Sequence, residues 1–235
     1  MFAALVYHII NRTICDKIAI SEEAFHAQVH YLYEQDYSVL SLVEAVDILD
    51  GRKKAPPRAV LLTFDDGYVD NLHVALPTLQ MYHMTATLFV ISAYVGQINR
   101  WNPKACYDVR HLNWDELRQW SDAGCDIGGH THTHHCMARL NARELSEAVV
   151  VNKMLLEERL QKQMRAFSYP YGTYTGPAQE IVKEHYKLAF AVDNGSIGNH
   201  ADRYALHRLT VSPKWEIGEF AKRLEKLVAL YSPSK

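Results

Sequence analysis

The stretch Ala59-Val60-Leu61-Leu62-Thr63-Phe64 carries no charge and then stops at Asp65-Asp66-Gly67. A strand with one wet face alternates apolar and polar residues. A strand without that alternation is covered on both faces, as in parallel sheets with helices packed outside. This segment therefore calls for helices around it, and the sequence supplies them. Ser21 caps a helix with Glu22 and Glu23 in its first turn and Phe25, Val29 and Leu32 on one face. A short strand at Val39-Leu40 precedes a helix from Leu42 to Asp50, ended by Gly51. The loop Arg52 to Arg58, with its lysines, arginines and prolines, reads as solvated surface rather than an interdomain linker.

Further strands are expected at Phe2–Tyr7, Thr85–Ile91, Ala166–Tyr169, Leu188–Val192 and His207–Val211. Helices are expected at Asp70–His83, 113–124, 141–160, 177–186 and Glu216–Tyr231, with Asn113/Glu116 and Asn141/Glu144 as capping pairs. Strands alternating with helices give parallel strands with helices outside, and seven or eight such units in 235 residues suggest a single-domain α/β barrel. Residues 93–112 form a long excursion with Tyr94, Trp101 and Tyr107, of a length often tied to function.

A net charge of -2 leaves no electrostatic footprint for nucleic acid. No apolar run approaches a transmembrane span. The first eight residues lack a basic region of the kind that opens a signal peptide, so a cytoplasmic location is expected, or an extracytoplasmic one if an export signal has been removed. Cys15, Cys106, Cys125 and Cys136 show no paired spacing and read as free thiols.

The C-terminal strand ends of an α/β barrel form its active face. Three unusual segments follow strands there, and a fourth lies on or near one. Asp65 and Asp66 repel each other and are costly to desolvate unless a cation compensates them; a solvated Asp-Asp-Gly turn is the alternative. Gly129-His130-Thr131-His132-Thr133-His134-His135-Cys136 concentrates four histidines. His130 and His134, at i, i+4, can grip one ion. His132 with His135 is a rival pair, and Cys136 a soft donor. Two histidines and a carboxylate make an open catalytic zinc shell, and a spare carboxylate beside it makes a general base. In Tyr169-Pro170-Tyr171-Gly172, proline fixes the turn and leaves the Tyr171 N–H to face a developing oxyanion, unless the segment merely ends a strand. In Leu206-His207-Arg208, His207 suits proton delivery near neutral pH, unless it faces outward. His8, His73 and His111 sit in no motif and are assigned structural roles.

The motifs Thr63-Phe64-Asp65-Asp66-Gly67-Tyr68, His130-Thr131-x-x-His134 and Tyr169-Pro170-Tyr171-Gly172 resemble the polysaccharide deacetylases (carbohydrate esterase family 4, the NodB-homology domain). Leu5-Val6-Tyr7-His8 and the helix from Ser21 resemble the poly-N-acetylglucosamine deacetylase branch. The likeness spans residues 1–235. It implies a distorted (β/α)7-type barrel and metal-dependent removal of acetyl groups from an N-acetylated glycan. It implies Zn²⁺, or Co²⁺ or Ni²⁺, on Asp66, His130 and His134, with Asp65 as base and the Tyr171 backbone in the oxyanion hole. The general acid would be His207, with His132 or a water network as fallback. Tyr169, Pro170 and Trp101 are the expected substrate contacts. Ser168 stands where many members carry a base-orienting arginine, and Arg208, or less readily Arg165, is the expected substitute. An amidohydrolase of small molecules and a sugar-binding protein with a relic site remain alternatives.

Overall fold

The computed structural model of the protein describes residues 2–11, 17–100, 108–192 and 202–229. Its strands are β1 Ala3–Tyr7, β2 Ile9–Ile10, β3 Ala19–Ile20, β4 Ser38–Val39, β5 Ala59–Phe64, β6 Thr87–Val90, β7 Asp126–Gly129, β8 Ala166–Ser168, β9 Leu188–Phe190 and β10 Leu209–Thr210. Its α-helices are α1 Glu22–Glu34, α2 Leu42–Leu49, α3 Leu76–Met81, α4 Trp114–Asp122, α5 Ala142–Leu160, α6 Gly176–His185 and α7 Ile217–Ala229.

The main sheet runs β10-β1-β5-β6-β7-β8-β9, all parallel, with β4 paired to the start of β5. Leu206 bridges to Phe190 of β9 while Leu209 pairs with Leu5 of β1. One short segment thus spans both edges of the curled sheet, in keeping with a distorted (β/α)7 barrel.

Alternation along the strands separates two cores. Ala3, Leu5 and Tyr7, with Val60, Leu62 and Phe64, pack outward under the helices. Ala4, Leu61, Phe89, Ala166, Leu188 and Phe190 fill the inner face, and α2 packs against them through Leu42, Ala45, Val46 and Ile48. Every residue of β5 is buried, as its unbroken apolar run demands.

The expected helix Asp70–His83 is divided. Asn71–Ala75 is π-helical, and α3 follows. Pro77 is the cause: it lacks the N–H that an α-helical turn would use, and the chain widens just before it, with Leu76 N–H donating to Asn71 O. The expected strands shrink to shorter paired cores, and β4 shifts to Ser38–Val39. The β2–β3 pair has no signature in the sequence, because two-residue strands leave no readable period.

Candidate active site

The strand ends place the chemistry. Asp65 and Asp66 follow β5, His130 follows β7, and Tyr169 follows β8. Successive residues of a strand point to opposite faces. Asp66 escapes that rule by a left-handed turn, φ 72°, held by His111, whose Nδ1–H donates to the Asp66 carbonyl at 2.9 Å.

Asp66, His130 and His134 are all buried, and one ligand atom from each lies within 4.8 Å of the others. Asp66 Oδ1 stands 3.4 Å from His130 Nε2 and 3.3 Å from His134 Nε2, and the two Nε2 atoms are 3.2 Å apart. His130 Nδ1 donates to Ser168 O at 2.7 Å, which turns Nε2 toward the cluster. Asp66 Oδ1 is buried and makes no hydrogen bond. Buried acceptors converging on one point are costly without a cation between them. This donor set, two imidazoles and a carboxylate, fits a divalent transition metal. His132 and His135 do not join it: His132 Nδ1 pairs with Ser92 Oγ at 2.9 Å and His135 Nδ1 with Thr133 Oγ1 at 3.0 Å. Cys136 Sγ lies 3.4 Å from Thr173 Oγ1 instead.

Asp65 faces a guanidinium. Arg208 is fully buried and bidentate on Asp65, Nη1 to Oδ1 and Nη2 to Oδ2, both at 2.7 Å. It also donates to Thr63 Oγ1, Ser168 Oγ and Ala191 O. Burial opposes the charge on Asp65, yet Arg208 and His130 together bring its pKa below the usual carboxylate value. Burial likewise opposes the charge on Asp66, but the histidines outweigh it and its pKa falls. Burial lowers His134 to about 3. His130 moves the other way, because the two aspartates overcome its burial.

The loop joining the two histidines is strained and clamped. Thr131 and His134 have φ of 63° and 59°. Thr131 Oγ1 accepts from the His134 N–H at 3.0 Å, and buried Asn152 on α5 donates to Thr131 O at 2.7 Å and Val90 O at 2.9 Å. Tyr171 also has positive φ, 60°. Its turn is closed by Gly172 N–H to Tyr169 O and Thr173 N–H to Pro170 O, bonds that do not call on the Tyr171 N–H. The exposed Tyr171 ring lies 4.8 Å from the His134 ring.

Three expectations need correction. Tyr169 is fully buried, and its hydroxyl donates to Tyr204 O, so its side chain supports the turn rather than meeting a ligand. Pro170 is buried too. His207, expected to face the cluster, is half-buried. Its neighbours Leu206 and Arg208 both point inward, so alternation turns His207 to the other face. Trp101 and Tyr107 lie outside the described residues. In place of His207 the structure offers His8, half-buried at the end of β1. Burial lowers its pKa, while Asp66 and Asp65 act on it in the opposite sense. The signal was present: His8 follows its strand as Asp65 follows β5.

Residues 52–189 match the family model for polysaccharide deacetylases. The chain belongs to the polysaccharide deacetylase family. It is 28% identical to YxkH of Bacillus subtilis over 95% of this chain and 76% of that protein. It is 26% identical to the poly-β-1,6-N-acetyl-D-glucosamine N-deacetylase of Staphylococcus epidermidis, over 83% of this chain and 68% of the relative. Among solved structures, IcaB of Ammonifex degensii superposes with a TM-score of 0.82 at 26% identity, covering 95% of this chain and 97% of that one. The deacetylase PplD of Streptococcus pyogenes shares the fold, with a TM-score of 0.82 at 22% identity over 95% of this chain and 98% of its own.

Proposed function

We propose that residues 1–235 form one metal-dependent deacetylase domain that removes acetyl groups from the N-acetylated sugars of a polysaccharide or its precursor. One observation carries the reading: a buried three-residue donor set stands beside a second carboxylate held ionised by a buried arginine. The poly-N-acetylglucosamine deacetylase named above supports the substrate class.

Asp66, His130 and His134 would hold the ion. A divalent cation there, Zn²⁺, Co²⁺ or Ni²⁺, supplies Lewis-acid polarisation of the acetamide carbonyl and water that ionises near neutral pH. Asp65 takes the proton of the attacking water, and Arg208 holds that carboxylate charged and aimed. The Tyr171 N–H faces the oxygen that gains charge, a kind of donor typically worth about 3 kcal/mol. Burial keeps His8 neutral at rest. It receives the proton by way of Asp65 and hands it to the departing sugar nitrogen, and acetate leaves. The exposed ring of Tyr171 offers a face on which a sugar can stack.

The test uses protein stripped of metal and recharged with each ion. Acetate release is measured from β-1,6-linked N-acetylglucosamine oligomers and from small acetamides. Release from oligomers by loaded protein alone is expected. Full metal occupancy with no release from any glycan would overturn the proposal, and release only from small acetamides would move the substrate class. An Asp65→Asn protein with undiminished activity would remove the base assignment.

A further inference from the structure

Position 168 is used twice. Ser168 ends β8 and is fully buried between β7 and β9. Its carbonyl accepts from His130 Nδ1 at 2.7 Å. Its hydroxyl lies 2.8 Å from Arg208 Nη2 and 3.1 Å from Asp65 Oδ2. A guanidinium only donates, so the serine oxygen must accept from Arg208. Its single proton is then left for Asp65. The direction of this chain is fixed by donor count alone: Arg208 to Ser168 to Asp65.

The two oxygens of Asp65 become unequal in consequence. Oδ2 receives Arg208 Nη2 and the Ser168 hydroxyl, whereas Oδ1 receives Arg208 Nη1 only. Each donor withdraws basicity from the oxygen it serves, and a hydroxyl already accepting from a cation donates more strongly. We infer that Ser168 is a positioning residue that selects Oδ1 of Asp65 as the proton acceptor and locks that carboxylate in register with the metal ligand His130. This rests on the proposed roles of Asp65 and His130.

The test separates the two functions of the residue. Ser168→Ala deletes the hydroxyl and keeps the carbonyl. In metal-loaded protein its kcat should fall about tenfold, the effect of one hydrogen bond on the reacting group. KM and metal affinity, read by chelator competition, should stay within about twofold, because the His130 bond survives. Ser168→Thr, which keeps the hydroxyl, should recover most of the rate. The side-chain carboxylate ¹³C resonance of Asp65, at fixed pH in metal-free protein, should move in Ser168→Ala and return in Ser168→Thr. An unchanged kcat in Ser168→Ala overturns the inference. So does a joint loss of metal affinity and folding in which the loaded fraction turns over at the wild-type rate. If the wild-type protein releases acetate from no glycan, the proposed function fails, and the inference is judged by the ¹³C resonance alone: a resonance unmoved by Ser168→Ala overturns it.

Discussion

Arg208→Gln isolates the partner of Asp65. The guanidinium has five N–H donors, and all five are used: two to Asp65 and one each to Thr63, Ser168 and Ala191. The pair is sealed from water, with Arg208 at 0% and Asp65 at 4% side-chain exposure. Breaking such a pair from one side leaves a buried charge uncompensated and costs about 3–5 kcal/mol. For a chain of this size that lowers Tm by about 6–20 °C. The sign of its pH dependence follows from Asp65. In the wild-type protein its pKa lies below the unfolded value, so its stabilisation is whole above about pH 3.9 and is lost as pH falls through the folded pKa. In the variant, burial is opposed only by the histidines and the Ser168 hydroxyl, and the folded pKa rises. The charged carboxylate then weakens the fold at neutral pH, and protonation relieves it as pH falls. The stability gap between the two proteins should therefore be widest near pH 8 and narrow toward pH 4. Calorimetry of both metal-free proteins across that range reads it directly. A gap under about 1 kcal/mol, the level of an exposed pair, or one that does not change with pH, would refute the argument that Arg208 holds the charge on Asp65.

Loading the Asp66–His130–His134 site should stabilise the fold by about 2.7 kcal/mol at a hundredfold excess over Kd, and a chelator should reverse it. The pKa of His130 is raised in the ion-free site, so metal uptake should release a proton and weaken as pH falls, which titration calorimetry in buffers of different ionisation enthalpy measures. Asn152→Leu leaves the Val90 and Thr131 carbonyls without their shared donor; a loss of about 1–3 kcal/mol and weaker metal binding are expected, read by denaturant titration and chelator competition. His8→Ala should lower kcat by about 10²–10⁴ while His207→Ala leaves it nearly unchanged; the reverse pattern, measured by acetate release, would return proton delivery to His207.

What the sequence shows and what it hides divide along a physical line. The unbroken apolar run of β5 and the carboxylates at its end were legible because burial on both faces leaves a local trace. The pair His132 and His135 rivalled His130 and His134 as donors, yet only the latter pair converges with Asp66; the backbone decides which, and residue type does not report backbone angle. Arg208 came into view only because Ser168 stands where an arginine was expected. Nothing local marks a contact between residues 143 positions apart. The place of His207 was hidden for a related reason. Its neighbours Leu206 and Arg208 claim the inward positions, and alternation leaves the histidine the other face.

The backbone carries the hidden part. Eight non-glycine residues among those described have positive φ, and four of them, Asp66, Thr131, His134 and Tyr171, belong to the site. Such conformations persist only where surrounding structure over-determines them. Each is held by a neighbouring group, and two of those groups, His111 and Asn152, lie outside the motifs. His111 holds the Asp66 carbonyl, Asn152 the Thr131 carbonyl, and Thr131 the His134 N–H. For Tyr171 the neighbour is Gly172, itself at φ 68°, where a Cβ would come within 2.5 Å of the Val192 backbone nitrogen. The motifs therefore name the groups that do the chemistry, while their aim is set by residues drawn from the excursion after β6, from α5 and from the end of β9. A protein keeping every motif residue but losing Asn152 or His111 would keep the donors and lose their convergence, which is why those two positions, chemically silent in the proposed reaction, belong to the site as much as the ligands do.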